Sequence, residues 1–203
     1  NNSGLVWIKW RSGSNGFGHA LYDTVRGNTK QLRADLSSAE TTESRFTGFL
    51  ANGFSLSGDT EIDYSGDKYV AWTFREHAKF MDIVTYTGNG SARTISHNLG
   101  SVPGMILVKK RSGTGNWMVY HRKANGGTNP EQYYAKLNDG DAFTSLASAW
   151  NNTAPTSSVF SVGDQINVNE NGSTYVAYLF AHNNNDGEFG PNQDQDIIKC
   201  GNY

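Results

Sequence analysis

The hexapeptide YVAWTF at 69–74 returns as YVAYLF at 175–180, and the match does not stop at six residues. At the same spacing, GFSLSGDTEIDYSGDKYVAWTF (53–74) lies over VFSVGDQINVNENGSTYVAYLF (159–180) without a gap. Phe54 meets Phe160, Ser55 meets Ser161, Gly66 meets Gly172 and Tyr69 meets Tyr175. Upstream, GLVWIKWRSG (4–13) lies over GMILVKKRSG (104–113), and HALYD (19–23) over WMVYH (117–121) after two residues are lost from the loop between. Three blocks keep their order, and their length changes fall only in turns. Shared strand vocabulary would not preserve order and turn positions, so the chain reads as a duplication.

The second copy is preceded by FMDIVTY (80–86), and DQDIIKCGNY (194–203) repeats that lead at the far end, whereas the first copy has no such lead. The expected layout is therefore a first repeat over 1–78, truncated at its N-terminus, a second over 79–190, and the lead strand of a following repeat over 191–203. The chain opens on a strand pattern, with no initiator Met or leader-like run, and reads as a segment of a longer polypeptide.

Within each copy the periodicity is that of strands. In LVWIKWR, Val6, Ile8 and Trp10 share one face, and Trp7, Lys9 and Arg11 the other. TYVAYLF is apolar on both faces, the signature of a strand covered on both sides. Its counterpart YVAWTF is expected to be equally central, with Trp72 in the core. Turn signals such as SGSNG, TGNG, SGTGN and NENGS recur every eight to fifteen residues. Glycine at 23 and proline at 4 of 203 residues fit many short strands joined by tight turns. Only AETTESRFTGFLA (39–51) suggests a short helix, with Glu40 and Glu43 near its start. The fold class expected is all-β: tandem antiparallel β-sandwich units, although two half-units merging into one larger sandwich would produce the same pattern.

The bulk numbers exclude several function classes. A net charge of −2 leaves no electrostatic footprint for nucleic acid. No apolar run approaches the ~20 residues of a membrane helix. The single cysteine, Cys200, leaves no disulfide framework and no cysteine-based zinc site.

Three places could hold chemistry. In GDTEIDYSGD, Asp59, Glu61, Asp63 and Asp67 crowd around a turn at Gly66, so calcium could bind through oxygen ligands at alternate positions. The EF-hand spacing fails, and the second copy keeps only Asp164 and Glu170, so a solvated hairpin turn is the plainer reading. No cofactor is otherwise expected. On HALYD a strand would place His19 and Asp23 on one face, but Trp117 and His121 replace them in the second copy. Asp23 and Arg26 then read as pins for a turn. Paired carboxylates of a glycan hydrolase could be drawn from Asp59, Glu61 and Asp63, yet no spacing supports it. Aromatic and basic residues near strand ends suggest a binding surface for sugar rings or anionic groups: Trp10, Arg11, Lys110, Trp117 and Trp150. For any one tryptophan burial is the plainer reading, and for the basic residues ordinary solubilising edge charge.

Taken together, LVWIKWRSG…HALYDTVRG, NGFSL…GDKYVAWTF, DIVTYTGNGSARTISHNLGSVPGMILVKKRSGTGNWMVYH and WNNTAPTSSVFSVG…YVAYLFA resemble a repeat family of large virion proteins from marine tailed phages, cyanophages among them. The resemblance covers almost the whole chain. It implies a fibre-like or appendage-like structural protein on the virion surface, built of concanavalin-like or jelly-roll-like sandwiches. It further implies partners among other virion proteins or host surface glycan, and homo-oligomeric assembly. Catalytic residues do not carry over from it, so an enzyme is not expected. A lectin-like module is the alternative, and a polysaccharide depolymerase a more distant one.

Overall fold

The computed structural model describes residues 3–58 and 61–201. It resolves into two compact units, Asn1–Glu76 and His77–Tyr203. Both are all-β, built from antiparallel sheets.

The first unit runs β1 (Gly4–Ser12), β2 (His19–Asp23), β3 (Gly27–Leu32), β4 (Thr41–Thr42), β5 (Phe46–Leu50), β6 (Gly53–Leu56) and β7 (Lys68–Arg75). Its sheet has the order β4-β3-β2-β1-β7, and β5 and β6 form a separate hairpin. Alternation on β1 and β2 turns Val6, Ile8, Ala20 and Tyr22 to one face, where Phe46, Ile62, Phe49, Phe54 and Leu56 cover them. Phe46 stacks on Tyr22 with ring centroids 4.7 Å apart and is fully buried. Burial of a ring this size contributes about 2–3 kcal/mol. The helix expected over 39–51 does not form. The alternating pattern of FTGFL, with Phe46 buried on the core side, makes this stretch a strand and places Glu40 beside Arg26 instead.

The second unit runs β8 (Met81–Thr87), β9 (Arg93–Ser96), β10 (Pro103–Lys110), β11 (Met118–His121), β12 (Tyr133–Lys136) and β13 (Thr144–Ser145). It continues with a one-turn helix α1 (Ala147–Trp150), β14 (Val159–Val162), a second single turn α2 (Ile166–Asn169) and β15 (Thr174–Ala181). Its main sheet has the order β13-β12-β11-β10-β15-β8, and β14 pairs with β9. Ile106, Val108, Met118, Tyr120, Ala177 and Leu179 pack against Ile95, Phe160, Val162, Val168 and Trp150.

The two sheets match strand for strand through five positions, and the residue pairing matches as well. Ile8 faces Ala71 and Ala20 in the first unit, as Val108 faces Ala177 and Met118 in the second. Individual hydrogen bonds recur too. Thr24 N–H donates to Gly4 O (3.0 Å) as Arg122 N–H does to Gly104 O (2.9 Å). The hydroxyl of Tyr69 accepts from Tyr64 N–H (3.2 Å) as that of Tyr175 accepts from Glu170 N–H (2.8 Å). Gly4 and Gly104 are both required by close approach: a Cβ would stand 2.2 Å from Phe74 O at the first and 2.7 Å from Cys200 Sγ at the second.

One difference matters more than the similarities. The second sheet continues past β15 to β8, whereas among the described residues the first ends at β7. As a result every residue of Tyr175–Ala181 is buried, while Ala71, Trp72 and Thr73 are exposed. The core placement expected for Trp72 is thereby corrected: it is 46% exposed. Residues 194–201, read from sequence as the lead of a further repeat, pack within the second unit. Ile198 lies against its core, and Ile198 O accepts from Asn183 N–H at 2.9 Å.

Candidate functional site

The residues singled out in the sequence do not converge. Asp67 accepts from Trp10 Nε1 (2.8 Å), Ser14 N (3.0 Å) and Asn15 Nδ2 (3.1 Å), clasping the β1–β2 loop. Desolvation pushes its carboxyl up, but these donors together hold it below the usual carboxylate value. Trp10 is thus a half-buried loop lock, and Arg11 beside it is exposed. Lys110 occupies the matching position in the second unit and pairs with Glu170, which also accepts from Ser173 Oγ (2.7 Å). Different chemistry does the same job in the two units: each ties the start of a hairpin to the turn before the last strand.

Trp117 and Trp150 present no face to solvent, being 0% and 2% exposed. Trp117 stacks on Tyr178, and the Trp150 indole donates to Tyr133 O at 3.0 Å. The surface platform expected of these two is corrected: each is interior, because its neighbours in space come from strands remote in sequence.

The acidic stretch is also dispersed. Glu61 bridges Arg33 (2.7 Å) and Arg45 (2.5 Å), Asp67 is spent on the loop just described, and Asp63 is exposed. Asp59 lies outside the described residues. Among the described residues, no group of three or more His, Cys, Asp or Glu side chains comes together to hold a metal ion. His19 and Asp23 likewise serve separate partners. Asp23 is fully buried against Arg26 (2.5 Å) and accepts from Val25 N and Arg26 N, while Arg26 also reaches Glu40 (3.0 Å) and Leu21 O (3.2 Å). The sequence reading of a pinned turn describes this cluster.

The structure assembles a cluster that the sequence reading missed. Trp7 and Trp72 are cross-strand partners, their rings edge-on at 6.3 Å. His19, diagonal to Trp7 on β2, lies 5.7 Å from it and accepts its indole N–H at Nδ1 (2.8 Å). That bond fixes the neutral tautomer with the proton on Nε2. Burial lowers the His19 pKa, Lys9 and Arg33 lower it further, and Asp35 opposes them. The result is an aromatic ledge with a half-exposed indole at its rim. The only available signal was that Trp7 and Lys9 share the face opposite Ile8.

Two open clefts of about 480 Å³ are also present. One lies in the first unit between the β5–β6 turn and the ends of β1 and β7, with Leu50, Asn52 and Arg75 on its walls. The other lies in the second unit between Ser91, Ser148, Asn151, Asn152 and Asp164. Neither set of lining residues includes a histidine. Among the described residues no helix is long and apolar enough to cross a membrane.

A family model described as a domain of unknown function (DUF7483) matches residues 2–196. No curated protein and no solved structure matches the chain.

Proposed function

Starting from a chain that belongs to the DUF7483 family, we propose that it is a structural module of a virion appendage, such as a tail fibre, spike or decoration. Its role is to present a rigid β scaffold to other virion proteins or to host surface glycan. In this reading the units are tandem sandwich-like copies of one ancestral fold, the chain is displayed on the virion surface as part of a homo-oligomer, and it is not an enzyme. The observation that carries the proposal is the use made of the polar residues. Asp23, Arg26, Glu61, Asp67, Lys110 and Glu170 are all engaged in locking turns and loops of the repeated sheet. Antibody against the chain, applied to purified particles and viewed by electron microscopy, should label them. Label confined to infected cells and absent from particles would overturn the reading.

A glycan-binding reading rests on one feature, the Trp7–Trp72–His19 ledge, where an indole face could stack on a sugar ring and Nε2–H could donate to a hydroxyl. Trp72→Ala should then weaken binding to a glycan array hit at least tenfold, about 1.4 kcal/mol. An unchanged affinity removes the ledge from consideration.

A further inference from the structure

We infer that the open edge of the first unit, strand β7, is a docking site for an extended strand of the β8 type supplied by a further unit of the same kind. The inference rests on the equivalence of the two units proposed above, and not on their location in a virion.

The second unit shows how such an edge is filled. There β8 lies antiparallel on β15, with Met81 opposite Phe180, Ile83 opposite Tyr178, Val84 opposite Ala177 and Tyr86 opposite Tyr175. Tyr86 stacks on Tyr175 at 5.1 Å and donates its hydroxyl to Val168 O (2.7 Å), so the added strand contributes to the core as well as to the ladder. Tyr175–Ala181 of β15 is buried as a result.

The first unit has the same receiving strand in the same register, with Tyr69, Ala71 and Trp72 where Tyr175, Ala177 and Tyr178 stand. Among the described residues its sheet stops there. The β7 sequence is that of an interior strand, yet Ala71 and Thr73 on one face and Trp72 on the other are all exposed. A strand edge of this composition is a template for pairing by backbone hydrogen bonds, with alternate side chains setting specificity. The occupant is specified position by position: a β-branched apolar residue opposite Trp72, another opposite Ala71 and an aromatic opposite Tyr69. The pattern Asp-Ile-Val-Thr-Tyr at 82–86 supplies them, and Asp-Ile-Ile-Lys at 196–199 repeats its start. A strand seated here would cover Trp72 as Ile83 covers Tyr178, so this inference and the glycan reading compete for the same indole.

The test titrates a synthetic peptide of residues 80–88, FMDIVTYTG, onto the 203-residue chain and follows hydrogen exchange by mass spectrometry. Saturable binding should slow exchange across 68–75 at least tenfold and leave 174–181 unchanged. The same peptide carrying Ile83→Lys should bind at least tenfold more weakly, with no change to the protein itself. Trp72→Lys in the chain should have a similar effect while its circular dichroism is unaltered. The inference is overturned by an absence of protection at millimolar peptide, or by equal protection from the Ile83→Lys peptide. It is equally overturned if the chain alone sediments as a dimer with 68–75 already protected, since a second copy's edge would then be the occupant. Each of these outcomes is independent of whether antibody labels particles.

Discussion

At the scale of single residues, equivalent side chains carry unequal loads. The Tyr175 hydroxyl accepts from Glu170 N–H and donates to Ile166 O (2.7 Å) from a fully buried ring. The Tyr69 hydroxyl accepts the matching bond at 3.2 Å from a half-buried ring. Leaving buried backbone groups without partners costs about 1–3 kcal/mol, so Tyr175→Phe should lose that much in urea denaturation. Tyr69→Phe should lose less than about 1 kcal/mol, and an equal loss in both would contradict the unequal loads. The alignment of these tyrosines was legible because a constant spacing survives in sequence. The burial of Tyr175 was legible too, from a stretch apolar on both faces, but the same reading failed at Trp72. The surface role offered for Trp117 and Trp150 does not survive their burial. Whether an indole meets solvent depends on which strand lies beside it, and that neighbour is far along the chain. The pinned turn at Asp23 and Arg26 was legible because Val25 and Arg26, which bind the Asp23 carboxylate, lie within three residues of it.

At the scale of elements, the strands were readable and the layer facing them was not. β1, β2, β7 and their counterparts follow plain alternation, whereas FTGFL was mistaken for helix because two glutamates precede it. The single turns α1 and α2 are four residues each, too short for a 3.6-residue period to register. β7 also illustrates how an open edge is kept from sticking indiscriminately. Lys68 and Arg75 bracket its apolar run, and both are exposed. Charges at the ends of an edge strand oppose unregistered pairing. Replacing both by alanine should lower the concentration at which light scattering rises by at least severalfold. Unchanged scattering would show that the edge needs no such guard.

At the scale of the whole molecule, protonation is unevenly distributed. His19, His97, His121 and His182 are all held below the ordinary imidazole value, burial being the largest cause in each. In all four, Nδ1 accepts an N–H: from the Trp7 indole, from Leu99, from Lys123 and from Cys200. Protonation removes that acceptor. Because these values are lower in the folded than in the unfolded chain, the unfolded state binds more protons as pH falls below about 6.5. Stability should therefore be at its full value above that pH and decline as pH drops through the folded values. Three of the four histidines lie in the second unit, so acid should affect that unit more. Denaturation midpoints at pH 7.5 and 5.0, read by hydrogen exchange in each unit, measure this, and a midpoint independent of pH would contradict it.

Cys200 offers a kinetic use of that same region. It is the only thiol in the chain, its Sγ–H donates to Ala181 O (3.4 Å), and burial raises its pKa to about 11. The thiolate is the reactive form, so a thiol reagent at neutral pH meets an almost inert sulfur while the segment stays seated against Gly104 and His182. The rate at which the chain takes up such a reagent is therefore a stopwatch for the lifting of residues 197–201, without any label having to be introduced.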